Sequence, residues 1–411
     1  MTNPDGLDLR ESTEADVYID NEIAARLTRD SGDRITFDYL ADQDRPRHGR
    51  IRDRSISWSL LRSGEYPKVT GGGAVPAFFA GLLPEGVRLG VLTSSTKTSA
   101  DDHFTLLLGI GADTIGNVRV FPAGHQPVRP LPLFDPDRDT DFQMVYAKLT
   151  GSIDADPVGL AGVQPKVSAA MRSTSAQTRS GPAILKLNPA QYPQLVENEH
   201  FFMRMAAACG LRVAVTSLLH DANGRSALLV KRFDRVGTTR LAQEDACQVA
   251  DLYPASKYRI KTEAALSQLG EACARGGGSK VTTIAELLKT VAFSWLIGNG
   301  DLHGKNLSIY EPDGVWQPTP AYDLLCTQPY AKWKDPMALT LYDRANRLSR
   351  ADFVVAGERL GLRSRATEKM LDALVDAATL WPSRCEQIGF ALRQTELLAE
   401  MLHARITSLK G

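Results

Sequence analysis

The chain of 411 residues predicts a two-lobed α+β fold, with an N-terminal mixed α/β subdomain and a helical C-terminal lobe. Three observations predict it. Runs such as Ala183-Ile-Leu-Lys186-Leu and Leu228-Leu-Val-Lys-Arg-Phe233 are short, apolar and bounded by turn residues, as strands are. Ile284, Leu287, Leu288, Val291, Trp295 and Leu296 fall on one helical face, and residues 349–410 read as further helices rich in Ala and Leu. Between these helical runs, Gly298 and Gly300 stop a helix, and a polar loop leads into a hairpin around Pro312-Asp-Gly314. Composition suits a soluble globular protein, 43% apolar and 23% charged. Lys+Arg 48 balances Asp+Glu 48, which makes no electrostatic case for the chain itself to bind nucleic acid or a membrane. No apolar run approaches the ~20 residues that span a bilayer. Met-Thr-Asn-Pro-Asp-Gly6 is no signal peptide, and five isolated cysteines without a C-x-x-C pair point to a reducing cytoplasm.

In chain order, residues 1–22 carry seven acids against Arg10 and read as an acidic arm. Residues 23–122 form the first subdomain. Arg26 to Leu40 alternates as a strand pair turning at Ser31-Gly-Asp33, and Arg45, Arg47, Arg50, Arg52 and Arg54 form a basic cluster. That cluster suits either a solvated loop or an acidic or phosphate partner. Gly71-Gly-Gly73 is a turn, because no Gly-Lys-[Ser/Thr] follows it. Pro76 to Gly86 and His103 to Leu108 read as short apolar helices and Asn117 to Phe121 as a strand. Residues 123–148, proline-rich at their start, read as a linker.

Residues 149–235 predict the core of a small lobe. Ala161-Gly162-Val163-Gln164-Pro165-Lys166 is a small-residue turn running into a strand, which can set backbone N–H groups against phosphate oxygens. Lys186 interrupts an apolar strand and must either snorkel to water or neutralise an anionic partner. ATP phosphates would serve, with Glu199, near the start of a helix over Glu197 to Cys209, steadying the lysine as in protein kinases. Val213 to Leu219 and Ser226 to Phe233 flank an Asn223-Gly224 turn. In the strand order of a kinase small lobe, Lys231, Arg232 and Phe233 would be the hinge against adenine. In residues 236–411, the helical lobe, Gln243-Glu-Asp245 opens a helix, residues 254–280 read as loop, and Thr283-x-x-Glu286 is a capping box.

The chemistry sits after that helix. Asp301 and Asn306 have the D-x-x-x-x-N spacing of a kinase catalytic loop, and the hairpin returns Asp323. Phosphoryl transfer needs this set: a carboxylate for the attacking hydroxyl's proton, and an amide and a second carboxylate for the Mg²⁺ that bridges the phosphates. His303 is expected to contact a phosphate or brace the loop, and Gly304, Lys305 and Tyr322 line the same nucleotide site. Together these features make the expected fold protein-kinase-like.

Ala161 to Lys166, Lys186, Asn198-Glu199, Arg232-Phe-Asp-Arg235, Gln243-Glu-Asp245, Gly300-Asp-Leu-His-Gly-Lys-Asn306 and Tyr322-Asp-Leu324 resemble the HipA family. So do Phe78 to Glu85 and Gly111 to Gly116 in the first subdomain. The family comprises bacterial serine/threonine-protein kinases acting as toxins of type II toxin–antitoxin modules. The resemblance implies ATP and Mg²⁺ as cofactors, Asp301 as the catalytic residue, Asn306 and Asp323 as metal ligands, and Ala161 to Lys166 as the phosphate loop. It also implies a helix-turn-helix, HipB-like antitoxin that binds operator DNA, and a protein substrate such as an aminoacyl-tRNA synthetase. Gly159 replaces the serine that the family's type member autophosphorylates, which excludes self-inactivation there. Gly300-Asp301-Leu-His303 departs from the commoner Thr-Asp-Gly-His toward small-molecule phosphotransferases. Two other readings stand beside the kinase toxin: an aminoglycoside-type phosphotransferase, and a non-catalytic partner-binding or repressor subunit.

Overall fold

The computed structural model describes residues 7–41, 54–127, 134, 141, 142, 144, 145, 171–179 and 181–410. The chain divides into two compact units. One comprises residues 1–132 and 234–256, the other residues 133–233 and 257–411.

The first unit is built on a five-stranded antiparallel sheet of order β4-β3-β2-β1-β5. Its strands are β1 (Glu14–Ile19), β2 (Glu22–Arg29), β3 (Ile35–Tyr39), β4 (Lys68–Thr70) and β5 (Val118–Pro122). The acidic arm expected over residues 1–22 is thereby corrected: β1 lies inside the sheet between β2 and β5. Acid count misleads because Asp16, 1% exposed, faces Arg26 across the strand pair. Arg26 donates to Asp16 at 2.9 and 3.0 Å and the Gly124 N–H at 2.9 Å, so the buried charge is paired. Helices Ala77–Leu82, Gly86–Thr96 and His103–Ile110 accompany the sheet, whose core joins Val17, Leu27, Ile35 and Phe37 to Phe78, Phe79 and Phe104. The middle helix was not expected, since Leu92 is its one buried residue and leaves no apolar stripe to read. Of the arginine cluster only Arg54 is described, its guanidinium 3.8 Å from Asp20.

Residues 234–256 also belong to this unit, which corrects their assignment to the helical lobe. Arg235 and Arg240 donate to the carbonyls of Thr114 and Gly116. Gln243–Asp245 is a strand rather than a helix start. The helix is Ala246–Val249, capped reciprocally by Asp245 and Gln248 at 2.9 and 3.0 Å. Glu244, 3% exposed, accepts from the Ser57 hydroxyl at 2.6 Å and the Trp58 N–H at 2.9 Å. Burial still pushes its carboxyl up to about 8. Between the ordinary carboxylate range and pH 8 the folded chain keeps a proton the unfolded chain has lost, so stability falls as pH rises through that window. Glu244→Gln can keep the Trp58 N–H on its oxygen and donate from its amide nitrogen to the Ser57 hydroxyl oxygen, without the charge. The variant should lose a few kcal/mol of that pH dependence, read as a flatter melting temperature between pH 5 and 8.5. An unchanged slope would refute the buried-proton assignment.

The second unit carries a four-stranded antiparallel sheet of order β6-β7-β9-β8: β6 (Arg172–Thr178), β7 (Gly181–Leu187), β8 (Thr216–His220) and β9 (Ser226–Lys231). Along β7, Ala183, Leu185 and Leu187 are buried toward Phe134 and Phe142, so the two-residue period turns Lys186 to the opposite face. Phe134, Phe142 and Val145, inside the expected 123–148 linker, are core residues of this unit. Helix Leu195–Ala208 follows β7. The remainder is mainly helical: Thr262–Arg275, Lys280–Ile297, Arg350–Arg359, Ser364–Ala378 and Leu392–Leu409. The loop expected over 254–280 is corrected, because Ala265, Leu266, Leu269, Ala272 and Cys273 make a buried helical stripe despite polar neighbours. Its Gly-rich end is needed because a Cβ at Gly276 would overlap the Trp316 ring. The next helix starts one turn before the expected capping box, at Ser279, whose hydroxyl accepts the Thr282 N–H at 3.2 Å. No helix among the described residues is long and apolar enough to cross a membrane.

Candidate active site

Helix Lys280–Ile297 ends where Gly298 takes a left-handed conformation, φ 73°, which glycine adopts without penalty. The chain then runs through Asn299 to Leu307 into the hairpin of Ser308–Tyr310 and Gln317–Pro318. Asp323 lies beyond the second strand, itself left-handed at φ 57°, a conformation that Asp tolerates better than most residues. Asn299 bridges the two arms. Its Oδ1 accepts the Asp301 N–H at 2.9 Å and its Nδ2 donates to the Asp323 carbonyl at 3.4 Å.

Lys186, Glu199, Asn306 and Asp323 come together. The Lys186 ammonium donates to both Glu199 oxygens at 2.8 and 2.9 Å and to Asp323 Oδ1, while Asn306 Nδ2 donates to Asp323 Oδ2 at 3.2 Å. Glu199 is 1% exposed, whereas the Asp323 side chain keeps 31% of its surface open. Burial opposes the lysine charge, but Asp323 and then Glu199 outweigh it and hold the ammonium above the ordinary lysine range. Burial also pushes at Asp323, yet Lys186 pulls its carboxyl below the usual range. For Glu199 burial wins and lifts the carboxyl to about 7. One ammonium thus faces two carboxylates, of which Asp323 is the stronger acid.

Asp301 and His303, both buried, form a second cluster. The Tyr258 hydroxyl donates to Asp301 Oδ1 at 2.9 Å, and its ring meets the His303 ring edge-on at 5.2 Å. The Gly304 N–H donates to the Lys257 carbonyl at 3.0 Å, the Tyr322 hydroxyl to the Lys305 carbonyl at 2.7 Å, and Asn306 Oδ1 accepts the His303 N–H at 3.0 Å. Lys257 and Tyr258 had no counterpart in the sequence reading, because no spacing rule links them to a loop some forty residues on. The hinge candidates are partly committed elsewhere. The N–H groups of Lys231 and Arg232 donate to the carbonyls of Val215 and Pro182 at 2.9 and 3.1 Å, and Phe233 packs against Tyr310 and Tyr322. Ala161, Gly162, Val163, Gln164, Pro165 and Lys166 lie outside the described residues, as do Ser152, Gly159 and Ser168.

Gly300 has a steric reason for its departure from threonine. A Cβ there would overlap the Asp335 carboxylate and stand 2.8 Å from Thr327 Oγ1. That oxygen accepts the Gly300 N–H at 2.9 Å and donates to Asp335. Gly300→Ala should cost about 1–3 kcal/mol by overpacking. Asp335→Ala removes the obstacle, so melting temperatures of the two single variants and the double should be sub-additive. Strict additivity would show that the two positions do not touch.

Residues 158–381 match the family model for the HipA-like C-terminal domain, and residues 15–121 that for the HipA N-terminal domain. The putative kinase Y4mE of Sinorhizobium fredii is 33% identical over 65% of this chain and 68% of its own. Y4dM of the same organism, also a putative kinase, is 30% identical over 80% of each chain. The serine/threonine-protein kinase toxin HipA of Shewanella oneidensis is 29% identical over 66% of this chain and 67% of its own. The solved complex of the S. oneidensis HipA, HipB and operator DNA contains a chain of the same fold, TM-score 0.71, covering 95% of this chain and 96% of that one at 22% identity. With one family model on each part of the chain and relatives named as kinases, this protein belongs to the HipA family of kinases, with an α+β protein-kinase-like fold.

Proposed function

We propose that the protein is an ATP- and Mg²⁺-dependent serine/threonine-protein kinase and the toxin of a toxin–antitoxin pair. The observation that carries the reading is the Lys186 ammonium shared between Glu199 and Asp323, with the Asn306 amide on the other Asp323 oxygen. Lys186 is the group for phosphate oxygens, with Glu199 keeping it extended from β7. Asn306 and Asp323 suit Mg²⁺, which needs one or two protein carboxylates and takes its other ligands from phosphates and water. No group of three or more His, Cys, Asp or Glu side chains among the described residues could hold a metal, so a dedicated protein cage is not what these residues offer. When bound, the ion would supply positive charge against the phosphates. Asp301 takes the proton of the attacking serine or threonine hydroxyl, and Asn299, Tyr322 and His303 keep the loop in register for it. Ala161 to Lys166 supply the phosphate loop, and the segment Lys231 to Phe233 meets adenine through its carbonyls or Phe233.

The partners follow from the relatives. A helix-turn-helix antitoxin with operator DNA is proposed because a chain of this fold is solved with HipB and its operator. The protein substrate, of which an aminoacyl-tRNA synthetase is the proposed example, would link the kinase to a halt in translation. The described cysteines are all buried thiols outside any disulfide, which suits a reducing cytoplasm. Incubation with γ-labelled ATP, Mg²⁺ and a bacterial lysate tests the reading. Label on serine or threonine of a polypeptide supports it, label on a small molecule favours the aminoglycoside-type alternative, and no transfer favours the non-catalytic one.

A further inference from the structure

We propose that Tyr258 is an acceptor stand-in. In the free enzyme its hydroxyl occupies the seat on Asp301 that a substrate hydroxyl must take, and transfer requires the tyrosine to leave. This inference rests on Asp301 being the proton acceptor proposed above. A general base works only within hydrogen-bond reach of the hydroxyl it serves, about 2.6–3.2 Å. Asp301 is only 4% exposed, and the Tyr258 hydroxyl already donates to its Oδ1 at 2.9 Å. A hydroxyl group on this carboxylate is therefore in place before any substrate arrives, in the geometry the reaction demands of the acceptor.

The residue is placed so that it can be held and released. Its ring is steadied by the His303 edge at 5.2 Å and by the Lys257 ammonium, 5.0 Å from the ring centre. Lys257 in turn anchors the loop through its carbonyl on the Gly304 N–H. Yet Tyr258 stands in a turn between the Pro254–Ser256 3₁₀ turn and helix Thr262–Arg275, it is only half-buried, and its neighbour Arg259 is exposed. Turns with exposed neighbours open at lower cost than helices. The side chain can swing toward solvent while the carbonyl clip at Lys257 keeps the loop closed.

Tyr258→Phe in the full chain tests this, with a serine-centred peptide selected on the wild-type enzyme from a degenerate pool, ATP and Mg²⁺. Removing the competing hydroxyl should lower the KM for the peptide about tenfold, the worth of one hydrogen bond to a charged group, with no fall in kcat. Tyr258→Leu should shift KM in the same direction and guards against an effect peculiar to Phe. A fall in kcat at constant KM would overturn the proposal by making Tyr258 a positioning residue. Phosphate found on Tyr258 after incubation with ATP would overturn it by making the residue an acceptor, and an unchanged KM would also end it. Asp301→Asn, run in parallel, separates the two levels: if it transfers as well as wild type, the kinase assignment of Asp301 has failed rather than the stand-in.

Discussion

Replacing Asp301 by asparagine is expected to slow phosphoryl transfer to protein by about 10²- to 10⁴-fold, the usual contribution of a positioned general base. The substitution is close to isosteric. An asparagine can still accept the Tyr258 hydroxyl, and the backbone N–H at 301 stays on Asn299 Oδ1 at 2.9 Å. What it cannot do is accept a proton. Single-turnover transfer from labelled ATP, with melting temperature as the control for folding, reads the effect. Expression of the wild-type chain alone should arrest growth, and the variant should relieve the arrest. Equal transfer rates would remove the kinase mechanism altogether.

Lys186→Met is expected to be the most destabilising of the single changes in the second unit. It strips the cation from Glu199, which is 1% exposed, and from Asp323. Breaking a buried ion pair on one side costs about 3–5 kcal/mol, or roughly 10 °C in melting temperature for a unit of this size. The deficit should depend on pH in a definite direction. In the wild type, Glu199 keeps its proton up to about pH 7, and Lys186 restrains it from holding on longer. Without the lysine the folded-state carboxyl moves further up. A carboxyl raised in the folded state loses stability as pH rises toward that folded value. The variant therefore goes on losing stability above pH 7, where the wild-type Glu199 is completing its titration. The gap in melting temperature should widen from pH 6 to 8.5, and a constant gap would refute the coupling of Glu199 to Lys186.

The fold class and the Lys186–Glu199 ion pair were legible in the sequence, whereas several details of the architecture were not. Lys186 stood out because a cation in Ala183-Ile-Leu-Lys-Leu has few ways to be satisfied, and its pairing with Glu199 is present in the structure. Asp301, Asn306 and Asp323 offered themselves as candidates because a helix stop, a loop and a hairpin follow one another within thirty residues. Tyr258, Asn299 and Asp335 did not, since their roles depend on where distant backbone passes rather than on local pattern. Two larger errors share one cause, namely judging burial from polarity. The acids of β1 and the polar spacing of helix Thr262–Arg275 hid segments that are paired or packed once folded. The excursion of residues 234–256 into the first unit left no mark at all, because topology has no local signature.

That excursion interleaves the two units along the chain. A chain begun after residue 132 would still carry Glu244 and Gln248, but without Ser57 and Trp58, which donate to Glu244, and the Phe78 carbonyl, which accepts from Gln248. Asp234 and Arg235 would likewise lose Gly116. The first unit is made of two chain segments that bracket part of the second, so no single cut in the chain parts the two.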